Sequence, residues 1–313
     1  MNSRELRIGT RGSQLALFQA NWVKDQLVRT HPDLNVTVMK IKTTGDKIQD
    51  APLAKIGGKG LFVKEIEEAL LTQKIDLAVH SIKDVPTEFP PGLHLSVITH
   101  REDPRDVLIS KDGKGLKELP QHAKIGTSSL RRQAQLLHFR NDLELIPLRG
   151  NLDTRLKKLK TMNLDAIVLA LAGVRRLGLE ERITEIISTE ISLPAIGQGA
   201  LGIETRQGDQ RVEGKIRFLN DKASWIAVSA ERAFLKKLEG GCQVPIAAFA
   251  RVDGALLQID GLVGTIDGKR LIRDHKHGPI EKADSLGIEL AEALLEKGAK
   301  EILDEVYQRS SPS

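Results

Sequence analysis

A single cysteine, Cys242, stands in "LEGGCQVPI" directly after two glycines, and an aspartate, Asp84, stands in "HSIKDVP" two residues before a proline. A thiolate is a soft nucleophile, and a carboxylate set among cations stays ionised and can stabilise positive charge that develops on a substrate. One cysteine excludes an internal disulfide, and the closely spaced ligands of a Cys-rich zinc site are missing. Cys242 therefore acts alone or is an inert thiol. An aspartate before a proline is more often a turn residue, and His80, at the end of "IDLAVH", is more often a hydrogen-bonded structural group than a base.

Arginines recur where apolar runs give way to helix starts. Arg11 follows "LRIGT", Arg131 and Arg132 open a helical stretch, Arg149 and Arg155 flank "GNLDT", and Arg175 and Arg176 follow "LAG". Strand C-termini and helix N-termini are where open α/β sheets bind ligands. Any one of these arginines is equally well a solvated surface residue. Gathered at one site they would repel one another unless a ligand offset them, so the pattern points to many carboxylates or phosphates. No nucleotide loop explains them: "IGGKGLF" at 56–62 has neither P-loop nor dinucleotide order. It reads as a surface loop, with Lys55 and Lys59 in reach of a bound anion.

The elements that must hold these residues alternate between strand-length apolar runs and longer amphipathic stretches, the pattern of an α/β protein. "LRIGT", "NVTVMKIK", "IDLAVHS" and "LHLSVITH" read as strands. "SQLALFQANWVKDQLVRTH" and "GLFVKEIEEALLTQK" read as helices, the first with Ser13 as N-cap. The charged segment "REDPRD" at 101–106 marks a crossing between domains. Beyond it "KIGTSSLRRQAQLLHFR" repeats the plan of "RIGTRGSQLALFQ", and "LDAIVLALAG" that of "IDLAVHS". Two α/β lobes of related build are expected, facing each other across a cleft. "SLGIELAEALLEKGAKEILDEVY" reads as a closing helix.

Composition sets the outer limits. Of 313 residues 40% are hydrophobic and 28% charged, an ordinary balance for a globular chain of two or three domains. The net charge of +5 raises nucleic acid as a partner, but aromatics make up only 3%, too few for base-stacking platforms. No secretory signal and no apolar run of membrane-spanning length is present, so a reducing, cytoplasm-like setting is expected, with no membrane and no nucleic-acid partner.

The segments "RIGTRGSQLAL", "GGKGLFVKEIE", "DLAVHSIKDVP", "REDPRD", "IGTSSLRRQ", "LRGN", "ISLPAIGQGALGIE" and "EGGCQVPI" together resemble the porphobilinogen deaminase (hydroxymethylbilane synthase) family over nearly the whole chain. The resemblance implies a transferase of tetrapyrrole biosynthesis. Such an enzyme joins four porphobilinogen molecules head to tail with loss of ammonia and frees hydroxymethylbilane by hydrolysis. It implies a covalent dipyrromethane cofactor, one per chain, held as a thioether by Cys242; a thioether outlasts the later additions, where an ester would hydrolyse. Asp84 takes the catalytic role, hydrogen-bonding the pyrrole N–H and stabilising the cationic azafulvene formed on deamination.

Matched to the same motifs, the cofactor would be held by Ser81, Lys83, Asp84, Thr127, Ser129, Arg131, Arg132, Arg155 and Gly199. The substrate would be held by Arg11, Ser13, Arg149, Arg155, Arg176 and Gln198. Each porphobilinogen ring brings an acetate and a propionate, which arginine grips with paired hydrogen bonds. The implied fold is α/β in three domains. The first two, 1–100 with 200–217 and 101–199, resemble the lobes of type II periplasmic binding proteins around a cleft; the third, 218–313, is smaller and carries the cofactor cysteine. "GALGIE" is then a strand returning to the first domain. A monomer without metal is expected, and the 55–62 loop is a candidate lid. Gly12 departs from the larger polar residue expected there. Two other readings stand beside this one: a non-catalytic two-lobed binding protein for a small polycarboxylate, which would not need Asp84, and a cysteine hydrolase, for which no base lies near Cys242 in the sequence.

Overall fold

The computed structural model describes residues 4–47, 63–239 and 244–310. In chain order its strands are β1 (Glu5–Thr10), β2 (Asn35–Lys40), β3 (Leu77–Ser81), β4 (Leu93–Ile98), β5 (Asp106–Ser110), β6 (Lys124–Gly126) and β7 (Glu144–Ile146). They continue with β8 (Ala166–Ala170), β9 (Glu185–Ile186), β10 (Leu201–Arg206), β11 (Ile246–Asp253), β12 (Leu256–Gly264) and β13 (Leu271–Pro279). Contacts divide the described residues into two compact units. One holds 4–47, 63–102 and 200–225; the other holds 103–199, 226–239 and 244–310.

The first unit is built on a five-stranded sheet in the order β2-β1-β3-β10-β4. β1 is parallel to β2 and β3, whereas β10 runs antiparallel to β3 and β4. β3 is shut off from water on both faces up to His80 because helices cover both sides. Ala20, Val23 and Leu27 of the helix Gln14–Thr30 pack on Leu6, Ile8, Leu77 and Val79. Ile66 and Leu70 of the helix Lys64–Leu71 pack on Ala78 and Leu93. Each such aliphatic side chain contributes about 1.5–3 kcal/mol by leaving water, which fixes which face of each helix turns inward. β10 is the returning strand that "GALGIE" announced.

The second unit contains a sheet on the same plan, in the order β7-β6-β8-β5-β9. β6 is parallel to β7 and β8, and β5 is antiparallel to β8 and β9. In both sheets three parallel strands are followed by a reversed strand that arrives from elsewhere in the chain. The repeated "IGT" and serine signal thus reports a repeated topology. Ser13 and Ser129 each cap the helix after the middle one of the three parallel strands, β1 and β6, accepting from Ala16 N and Arg132 N. "LDAIVLALAG" matches "IDLAVHS" in placement: it is strand as far as Ala170, where its pairing with Asp106 ends, and Leu171–Arg176 is a short helix.

The same unit carries an antiparallel meander, β11-β12-β13. Leu257, Ile259 and Val263 pack with Phe234 of the helix Lys222–Lys237 and with Leu286, Leu290 and Leu294 of the helix Ala283–Leu294. Those two helices touch backbone to side: a Cβ on Gly287 would lie 2.2 Å from the Ala230 carbonyl oxygen. The expected single closing helix is in fact two, Ala283–Leu294 and Lys300–Ser310. Gly298 between them has φ 94, a left-handed conformation that ends one helix and redirects the next. Among the described residues no helix is long and apolar enough to cross a membrane, and no group of His, Cys, Asp or Glu is arranged to hold a metal ion.

Candidate active site

Parallel strands end on the same edge of a sheet, and that geometry gathers the residues the sequence scatters. In the first unit Arg11 and Ser13 follow β1, and Ser81, Lys83 and Asp84 follow β3, its parallel neighbour. Ser13 caps its helix at 3.2 Å from Ala16 N, fixing the turn that carries Arg11. Ser81 is held by Gln19, whose Nε2 donates to Ser81 Oγ at 3.0 Å. The residues after it form a 3-10 turn, Ile82–Asp84. Its backbone is pinned by Ile82 N donating to Ala200 O at 3.1 Å and Val85 N donating to Ile82 O at 3.0 Å. Val85 is extended because a proline follows it, so the turn cannot run on into a helix. Lys83 and Asp84 emerge half-buried at the sheet edge. His80 points to the opposite face and bonds Glu204 at 2.9 Å, a hydrogen-bonded core group as its position predicted.

In the second unit the loops after β6, β7 and β8 share one edge. Thr127 and Ser129 follow β6; Thr127 is buried, and its Oγ1 accepts from Ser129 N at 3.2 Å. Ser128 ties this loop to the next, accepting from Leu148 N at 2.9 Å and donating to Leu148 O at 3.1 Å. Arg149 and Arg155 follow β7 and stay half-exposed; Arg155 Nε donates to Gly150 O at 2.8 Å. Asn151 caps the helix between them through Thr154 N. Arg176, at the end of the short helix after β8, donates to Gly199 O at 2.6 Å. Gly199 itself has φ 96.

The centre of this half is a residue that the sequence reading passed over. Asp106 begins β5 and, because β5 is antiparallel to β8, lies on the same edge as the arginine-bearing loops. It is fully buried, and Arg131 Nη1 at 2.8 Å, Arg132 Nη2 at 2.7 Å, Ser192 Oγ at 2.8 Å and Gln198 Nε2 at 2.9 Å all donate to it. Burial alone would raise the Asp106 carboxyl, but the charges and hydrogen bonds of Arg131 and Arg132 outweigh it and hold the group far below the usual carboxylate range. Burial and the neighbouring Arg132 lower Arg131, while Asp106 raises it. Two guanidiniums on one carboxylate leave one positive charge in excess. Arg131 and Arg132 are therefore not solvated helix-end residues; half of their charge is already balanced from within. The signal was available in "REDPRD", where the last acid opens a strand instead of closing a linker.

The Gln198 loop is fixed from a second side. Glu231 of the helix Lys222–Lys237 is buried, and its carboxylate accepts from Gly197 N at 2.6 Å and from Ala250 N at 2.8 Å. Gln19, Ser128 and Glu231 are further positioning groups that the sequence reading missed. Gln19 had a visible signal, a polar residue on the buried stripe of an amphipathic helix. Cys242, Lys55, Lys59 and the rest of the 55–62 loop lie outside the described residues.

The donor set suits a ligand rich in carboxylates, as a dipyrromethane is. Arg132 Nε is buried and has no hydrogen-bond partner among the described residues, so a donor beside the excess positive charge is left without an acceptor there. Hydroxyls, a guanidinium and backbone amides stand on the same strand ends, with no metal-ligand cluster among them.

Comparison with known proteins bears on the whole chain. The family model described as porphobilinogen deaminase, dipyromethane cofactor binding domain, matches residues 6–214, and the model of the porphobilinogen deaminase C-terminal domain matches 225–296. Curated relatives include the porphobilinogen deaminases of Citrifermentans bemidjiense, 59% identical, and Geotalea uraniireducens, 58% identical, each alignment covering 99% of this chain and 97% of the relative. That of Pelobacter propionicus is 56% identical over 99% of both. A solved extracellular-binding protein from Bacillus subtilis, YtmK, aligns at TM-score 0.42 and 11% identity over 69% of this chain and 89% of its own, too loosely to carry an inference. With both family models matched in order and identity sustained from end to end, the chain belongs to the porphobilinogen deaminase family.

Proposed function

We propose that this protein condenses porphobilinogen head to tail, with loss of ammonia, on a covalently held dipyrromethane and releases hydroxymethylbilane by hydrolysis, with the residues above in the following roles. The observation that carries the reading is the buried Arg131–Asp106–Arg132 group, which keeps one net positive charge and an Nε donor with no acceptor among the described residues, inside the stretch matched by the cofactor-binding domain of the family. When bound, the dipyrromethane supplies the pyrrole carbon to which each new unit is joined.

Cys242 is the chain's one thiol, so covalent attachment goes through its Sγ. Asp84 is the catalytic residue. Its carboxylate accepts the pyrrole N–H of the incoming porphobilinogen, stabilises positive charge on the ring as ammonia departs, and takes the proton given up at the coupling carbon. The rigid turn Ile82–Asp84 supports this role, because a carboxylate set on pinned backbone stabilises charge without reorganising. Lys83, Ser81, Thr127, Ser129, Arg131, Arg132, Arg155 and Gly199 hold cofactor groups. Arg11, Ser13, Arg149, Arg155, Arg176 and Gln198 hold substrate acetates and propionates. Substrate is the partner; a single chain acting alone in a cytoplasmic setting completes the reading.

Intact-mass spectrometry of the purified protein tests the attachment, and absorbance of the oxidised product tests the reaction. A mass excess of a dipyrromethane and turnover of porphobilinogen to a linear tetrapyrrole are expected. An active chain with no excess mass would overturn the covalent reading.

A further inference from the structure

The first unit contains charged groups that no step above uses, buried in the layer between the helix Lys64–Leu71 and the sheet. Strand alternation puts Leu77, Val79 and Ser81 of β3 toward the helix Gln14–Thr30, and Ala78 and His80 toward the helix Lys64–Leu71. On β10 the register sets Gly202 opposite His80 and Glu204 opposite Ala78, so His80 and Glu204 share that second face. His80 Nε2 lies 2.9 Å from Glu204 Oε2, both side chains being shut off from water. Glu67, on the covering helix, is buried as well. Three titratable groups thus interrupt a layer otherwise made of Ile66, Leu70, Ala78 and Leu93.

A buried charge needs partners, and one atom here lacks one: Glu204 Oε1 is buried and accepts no hydrogen bond among the described residues. Glu67 is the titratable group of the covering helix that feels both the Glu204 charge and His80. Burial raises the Glu67 carboxyl to about 7, with the Glu204 charge adding to the rise and His80 opposing it. Among the described residues, the other elements packed on this helix offer no rival charge. β1 presents Gly9, against Ile75 and Ile41, and β4 presents Leu95, against Gly202. Arg206, farther along β10, is spent on the carbonyls of Leu70 and Ile75 and on Asp209; Asp76 is taken by Arg7 and Arg211; Glu65 accepts from Thr44.

We propose that Glu67, Glu204 and His80 form a proton-sharing chain, Glu67 Oε–H to Glu204 Oε1 and Glu204 Oε2 to His80 Nε2, that positions the Ser81–Asp84 turn for the reaction. His80 is bonded directly to Ser81, and Leu201 of β10 pairs with Ser81 while Gly202 gives Ile82 its space. Loss of the Glu67 proton puts two carboxylates in one dry layer, and the relief available is movement of β3 or β10 at the end that carries Asp84. Glu67, Glu204 and His80 are positioning residues; none touches substrate. The inference rests on the assignment of Asp84 as the catalytic carboxylate.

The holoenzyme is tested by infrared titration and by kcat and KM measured from about pH 5.5 to about pH 8.5, a span that brackets ordinary and raised carboxylates. In wild type a protonated-carboxyl carbonyl band should disappear on the limb where kcat falls, with KM flat. Glu67→Gln, which is neutral throughout, should lack the band and move the falling limb by more than about one pH unit to the alkaline side. Glu204→Gln removes the charge that holds the Glu67 proton and should move the limb to the acid side. Superimposable kcat profiles for wild type and Glu67→Gln, or absence of the band in wild type at the acid end, would overturn the proposal even if a variant failed to fold. A band that titrates without a matching kcat limb overturns the coupling and leaves Asp84 standing, whereas undiminished turnover in Asp84→Asn overturns both.

Discussion

Arg132 Nη2 lies 2.7 Å from Asp106 Oδ1 where neither side chain is open to solvent. Arg131 meets the other oxygen of the same carboxylate at 2.8 Å, so one acid balances two cations. The arrangement leaves one positive charge in excess and would be costly without the acid, because a buried guanidinium with no counter-charge is strongly unfavourable.

Replacing that acid should therefore damage stability before it damages chemistry. Asp106→Asn is expected to cost about 3–5 kcal/mol in urea unfolding, because it keeps shape and removes charge. Adding Arg132→Met should recover part of the loss, the signature of coupled neighbours in a double-mutant cycle.

The same pair sets an acid limit. The Asp106 carboxyl is depressed on folding, so its contribution is present above the unfolded value of 3.8 and is lost as pH falls below it. Wild-type stability should drop on acidification below about pH 4, and the drop should be shallower in Asp106→Asn; unfolding midpoints measured along that limb check it.

Turnover should depend on Asp84 far more than binding does. Asp84→Asn is expected to lower kcat about 100- to 10,000-fold while the protein still carries its cofactor, read by steady-state assay and intact mass on the same sample.

Cys242→Ser should yield a folded chain of unmodified mass and no detectable turnover, since a hydroxyl is a far weaker nucleophile than a thiolate. Circular dichroism and mass spectrometry of the variant decide it; retained excess mass would place the attachment elsewhere.

Gly287→Ala should destabilise by about 1–3 kcal/mol, because the new methyl meets backbone rather than a side chain that can turn aside. Thermal unfolding measures it, and Gly214→Ala, where nothing lies within 4 Å of the added carbon, serves as the control.

The amino-acid sequence by itself determined the alternation of strand and helix, the repeat of "IGT" with its serine cap, the crossing at "REDPRD" and the family motifs, since each is written in residues near one another along the chain. Periodicity and capping are local, and local signals survive without a fold. Gly298 was equally visible, but a glycine inside a helical period is tolerated as often as it breaks one, so only its φ of 94 separated the two closing helices. Only the tertiary structure decided what the arginines do. Asp106 and Arg131 are far apart in sequence and meet because an antiparallel strand returns its first residue to the edge where parallel strands end. The same holds for Gln19 with Ser81, Glu231 with Gly197, and His80 with Glu204: each pair is joined by strand order and register, long-range quantities that no window of sequence contains.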